Sequence, residues 1–142
     1  MSHDKVTLNI GDSFLIRNKY GEHLHVIVAE SSPDHSAQIM LVYLSSKENI
    51  PYKDSTTIIE VNEHPFVKTR SWVRYQNILI DSRPEIKKLI VKHYGKTNDE
   101  LLKRIQAGIN SSDFVSGRNK RLFNEWKMDG LYRKVNELNT NK

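Results

Sequence analysis

Apolar and polar residues alternate with a period of two over most of the first 80 positions, the spacing of strands that bury one face. "KVTLNI" runs into "GD", "SFLIR" into "NKYGE", "LHVIVAE" into "SSPDHS", and "AQIMLVYLSS" into the loop "KENIPYKD". "STTIIEV" precedes "NEHPF", and "SWVRYQNILI" ends the series. Short strands at roughly 10-residue spacing, punctuated by Asn, Gly, Asp, Ser and Pro, predict a small antiparallel barrel or sandwich over residues 1–82.

At Asp81 the period changes to that of a helix. "DSRPEIKKLIVKHYG" offers Ser82 as N-cap, Pro84 in the first turn, Ile86, Leu89, Ile90 and His93 on one face, and Gly95 as a stop. "TNDELLKRIQAGIN" follows, with a capping box from Thr97 to Glu100 and an apolar stripe of Leu101, Leu102, Ile105 and Ile109. The remainder predicts one or two further short helices with Leu122, Phe123, Trp126, Leu131, Val135 and Leu138 facing inward, then a frayed "NTNK". The expected fold is therefore α+β: a small antiparallel β-barrel over 1–82, then a helical extension over 83–142 packed on it. No internal repeat or low-complexity linker interrupts this order.

Composition narrows the function classes. The 142 residues carry a net charge of +5, and the excess is uneven. Residues 1–80 hold 8 Lys and Arg against 9 Asp and Glu, a net −1, whereas residues 81–142 hold 14 against 8, a net +6. A basic surface of this kind attracts nucleic acid by counterion release, and serves equally as a dock for an acidic partner. With no cysteine, disulfides, thiol nucleophiles and zinc–thiolate sites are excluded, which agrees with a reducing compartment. The start "MSHDKVTLNI" lacks the pattern of a signal peptide and no apolar run approaches membrane-spanning length, so a cytoplasmic protein without membrane association is expected.

Six histidines raise the question of metal, yet no HExxH or comparable spacing occurs, and no metal site or cofactor is expected. Neither GxGxxG nor GxxxxGK[ST] is present, and a serine hydrolase elbow is absent. What remains is a set of polar residues at strand ends. Ser45 and Ser46 close the long apolar strand "LVYLSS", while Arg70, Ser71, Arg74 and Gln76 decorate "RSWVRYQ". If the two strands are neighbours, hydroxyl and guanidinium groups converge, and an arginine fork suits phosphate bidentately. On the plainer alternative the serines terminate a strand and the arginines are a solvated face. Period-two geometry sets Ser71, Val73 and Tyr75 on one face and Arg70, Trp72, Arg74 and Gln76 on the other, so an outward Trp72 would stack bases and an inward one would only pack.

Three segments, "GDSFLI", "LVYLSS" and "SWVRYQNILID", resemble the PemK/MazF toxin family over roughly residues 8–82. The resemblance implies an SH3-like barrel acting as a sequence-selective, metal-independent endoribonuclease, with RNA as substrate, an antitoxin protein as partner and a homodimer as assembly. It further implies that Ser45 and Ser46 are the hydroxyl pair of the active site, that Arg74 is its acid or phosphate clamp, and that Gln76 is a neighbouring polar position. Two features depart from the family pattern. Tyr75 stands where several members have an acidic residue, and the loop that often reads Arg-Pro here reads "GEHLHVIV". His23 or His25 is the expected general base from that loop, with His25 placed among the catalytic residues. Arg70, Trp72, Gln76, His23 and His64 are the expected RNA contacts. The alternatives are a non-catalytic nucleic-acid-binding barrel and a protein-interaction module with a basic helical tail.

Overall fold

In a computed structural model, residues 8–19, 21–47 and 50–140 are described. Seven strands build one antiparallel sheet: β1 (Asp12–Asn18), β2 (Gly21–Glu30), β3 (Gln38–Ser45), β4 (Ile58–Ile59), β5 (Ser71–Val73), β6 (Leu79–Ser82) and β7 (Ile90–Lys96). Among the described residues three α-helices accompany them: α1 (Arg83–Lys87), α2 (Asp99–Ser111) and α3 (Gly117–Thr140). The fold is α+β, and no helix among the described residues is long and apolar enough to cross a membrane.

The strand path is β4-β5-β3-β2-β1-β7, an open order with β4 and β7 at its two ends. β3 is central. One edge pairs β2 from His25↔Tyr43 to Glu30↔Ile39, and the other is shared between β6, with Leu41↔Leu79, and β5, with Leu44↔Val73. "SWVRYQNILI" thus runs along β3, so the two strands are neighbours, but it is broken by a 3-10 turn at Tyr75–Asn77. The break has a cause in packing: the Tyr75 side chain turns into the core, where its hydroxyl donates to the Ile105 carbonyl of α2 at 2.7 Å and meets Thr57 Oγ1 at 2.7 Å.

β2 and β3 are buried along most of their length on both faces, because two separate cores cover them. Leu24, Val26, Met40, Val42 and Val73 pack under α2 and α3 against Ile105, Ile109, Phe123 and Trp126. The opposite face sets Phe14, Ile16, Ile27, Ile39 and Leu41 against Leu8 and Ile86. Beside this second core the buried Arg83 donates to the carbonyls of Leu8, Ser32 and Asp34 and pairs with Glu30, tying the start of α1 to the end of β2.

Several expectations are corrected. The helix expected from Ser82 to Tyr94 is one turn long: Ser82 does cap it, but after Lys87 the chain returns to the sheet as β7 beside β1. β7 pairs His93 with Phe14 and Lys92 with Leu15, and it is an edge strand exposed over most of its length. The N-cap of α2 is Asn98, whose side chain accepts from Leu101 N at 3.0 Å, while the buried Thr97 hydroxyl has no partner among the described residues. The last helices are a single 24-residue α3. Phe123 and Trp126 face inward as expected and Leu122 is half-buried, but Leu131, Val135 and Leu138 are exposed. Leu8–Ile10 are not a strand and Asn139 and Thr140 are helical; the rest of the segments "KVTLNI" and "NTNK", residues 5–7 and 141–142, lies outside the described residues.

Candidate functional site

Register brings the strand ends together. β3 ends at Ser45 opposite Trp72 of β5, and Arg74, just past β5, donates its backbone N–H to the Tyr43 carbonyl at 2.8 Å. Across the other edge of β3, Tyr43 faces His25. His23 lies two residues before His25 on the same face of β2, and its ring stands 4.8 Å from that of Tyr43. Tyr43 is thus the hub of a small cluster at the rim of the second core.

Arg74 is half-buried, and its guanidinium lies 4.8 Å above the Tyr52 ring and 6.0 Å from that of Tyr43. The two aromatic contacts hold it by cation–π attraction. Its Nε is buried and has no hydrogen-bond partner among the described residues, which therefore satisfy the group less than fully. His23 is held below the ordinary histidine pKa, first by burial and then by the positive charges of Arg74 and Lys47. A neutral imidazole beside two cations is therefore the state of this site near neutral pH. Tyr43 is pushed up by burial, with Arg74 pulling the other way.

Next to this cluster a cleft of about 300 Å³ is lined by His23, Ser45, Ser46, Lys47, Lys68 and Thr69, with Leu24, Leu44 and Phe66 among its apolar walls. Ser46 is exposed at the end of β3. Ser45 is nearly buried, and its Oγ accepts from Lys47 N at 3.3 Å, which is how a serine terminates a strand.

The other expected residues fall outside this surface. His25 is only 4 % exposed; it donates from Nδ1 to the His23 carbonyl at 2.9 Å, stacks on Tyr43 at 5.2 Å, and is lowered by burial to a pKa of about 4. It is a neutral packing group rather than an accessible base. Trp72 is fully buried and donates Nε1–H to the Lys47 carbonyl at 2.7 Å, so it cannot stack a base; both faces of β5 are covered, and alternation does not turn it outward. His64 is buried as well. Ser13 Oγ donates to the Gly95 carbonyl at 2.7 Å, so it accepts from His64 Nε2–H at 2.8 Å, and His64 Nδ1 accepts Phe66 N–H at 3.0 Å. Both ring nitrogens are used structurally. Arg70 is exposed and pairs with Glu60 at 3.3 Å, and Gln76 is exposed on the 3-10 turn; neither lines the cleft.

Lys68 stood out in the sequence as one of the cations of "HPFVKTRSWVRYQNILI", whereas Tyr43, Tyr52, Lys47 and Thr69 were not singled out. Tyr43 carried a signal, since it stands two residues before Ser45 and shares its face of β3. Tyr52, in the irregular segment after β3, carried none. Comparison with family models, with curated proteins and with solved structures finds no match for this chain.

Proposed function

We propose that the chain binds single-stranded RNA where Arg74, Tyr43, Tyr52 and His23 meet the serine-lined cleft, and that it cleaves that RNA without a metal ion. The observation that carries the reading is the Arg74 guanidinium held between two tyrosines beside a histidine that its own charge helps keep neutral. Phosphate suits the guanidinium and Lys47; the exposed face of Tyr52 offers a stacking surface for a base. For cleavage, a neutral His23 takes the proton of the RNA 2′-hydroxyl as that oxygen attacks the adjacent phosphorus. The bond to the 5′-oxygen breaks, and water at the open mouth supplies the proton that oxygen needs. The products are a 2′,3′-cyclic phosphate and a 5′-hydroxyl. Arg74 and Lys47 hold the charge that builds on the non-bridging oxygens. An SH3-like barrel of the PemK/MazF kind, a role as a cytoplasmic toxin and control by an antitoxin belong to the same proposal, supported by the segments that carry the family resemblance and by the placement of Arg74 beside the end of the strand that carries Ser45 and Ser46.

A non-catalytic RNA binder is the second reading, favoured by the burial of Ser45 and His25, which leaves His23 as the one histidine lining the cleft among the described residues. Incubating the chain with mixed RNA in EDTA and mapping new ends separates the two. Cyclic-phosphate ends that vanish in His23→Ala and in Arg74→Ala are expected. Binding without new ends would leave the binder, and cleavage undiminished in His23→Ala would remove the histidine from the chemistry.

A further inference from the structure

The last 13 residues of α3 carry five large hydrophobic side chains that are more than half exposed, Tyr132 and the four aliphatic ones Met128, Leu131, Val135 and Leu138. The aliphatic four, spaced by three, four and three residues, follow alternating a and d positions in a heptad, so they form one seam along the helix. Phe123 and Trp126, which hold α3 on the sheet, point elsewhere on the helical wheel, so the seam is not the face already packed. A continuous apolar stripe of this kind on a soluble helix marks a contact surface.

We propose that α3 pairs through this seam with α3 of a second copy of the chain, as a parallel two-stranded coiled coil. The choice of a second copy, and of the parallel arrangement, follows from the residues. Val135 at a with Leu131 and Leu138 at d is the combination that favours two parallel strands. With Met128 at a, the flanking g positions are Lys120, Lys127 and Lys134, and the e positions are Glu125, Tyr132 and Asn139. In a parallel pair each g residue meets the e residue five positions later in the partner helix. Within the seam Lys127 then meets a tyrosine and Lys134 an asparagine, with no like charges opposed; Lys120 and Glu125 flank Arg121 and Asn124, the latter bonded to Asn110 of α2, and lie outside the seam. An antiparallel pair instead sets g against g, lysine against lysine. Two heptads make a short seam, so the dimer is expected to dissociate on dilution. The inference is independent of the RNA reading, since no seam residue lies at that site.

The test uses the full chain, which has no cysteine to confuse cross-linking. Sedimentation equilibrium from micromolar to hundreds of micromolar should show a rise from the 16.6 kDa monomer toward twice that mass. Leu131→Lys with Val135→Lys should abolish the rise while leaving the unfolding transition in place, because both side chains are exposed. Under mild oxidation Val135→Cys should form a covalent dimer and Asp129→Cys, on the outer face, should not. A monomer at all concentrations, which would assign the seam to a different protein, overturns the proposal. So does a dimer that survives the double lysine variant, and so does a Val135→Cys chain that associates without cross-linking.

Discussion

His25 and His64 show how a polar side chain is made part of a core: each ring is buried, and each is held in a neutral form by its hydrogen bonds or its surroundings. The consequence is a pH dependence with a definite sign. The folded pKa of His25, about 4, lies below the ordinary value of 6.5. Between those values the unfolded chain binds a proton that the folded chain does not, so acidification favours unfolding. Stability supplied by His25 is complete above pH 6.5 and is lost as pH falls toward 4, by about 3 kcal/mol at 1.36 kcal/mol per unit. His64 adds in the same direction, since burial lowers it too. Urea unfolding between pH 7.5 and 4.5 should therefore show a steep fall in stability, and His25→Phe should flatten it. An equal slope in His25→Phe would mean that His25 is protonated in the folded protein. The serine pair and Arg74 were legible in the sequence because strand ends and strand cations have fixed positions in a period of two. The burial of Trp72, His25 and His64 was not legible, because alternation says which residues share a face and not whether something covers it.

The docking of α2 on the sheet depends on one missing side chain. A Cβ at Gly108 would lie 2.0 Å from Tyr75 Oη and 2.5 Å from Thr57 Oγ1, inside the space used by the hydroxyl that donates to Ile105. Gly108→Ala should destabilise the protein by about 2–4 kcal/mol, despite the better helix propensity of alanine, because the tyrosine must leave its buried bonds or α2 must lift. Tyr75→Phe in the same chain should recover part of that loss, and thermal unfolding of the two single variants and the double variant measures the coupling. Strict additivity would show that the hydroxyl is not what Gly108 makes room for. Of the elements themselves, β1, β2, β3 and α2 follow from pattern and punctuation. "EIKKLIVKHYG" fits a helix and a strand about equally well, and the free edge of β1 decides in favour of β7. The single length of α3 was obscured by Gly130, which the helix accommodates without a break.

The whole molecule separates its charge from its candidate site. The basic excess lies after residue 80, yet the cations that meet at the strand ends, Arg74 and Lys47, belong to the nearly neutral first part. Net charge therefore does not locate the proposed RNA site, and its location rests on register and packing. The two-sided core explains the same division: β2 and β3 are covered by helices on one face and by Leu8 and Ile86 on the other, so functional groups are left at the strand ends. The most direct test is the salt dependence of RNA binding by the parent chain, Arg74→Ala and Arg70→Ala. A phosphate held by one arginine releases about one counterion, so Arg74→Ala should weaken binding and reduce the slope of log K against log salt by about 0.7–1. Arg70, an exposed partner of Glu60 outside the cleft, should leave both unchanged. Equal affinity and equal slope for the parent chain and Arg74→Ala would contradict an RNA site at Arg74.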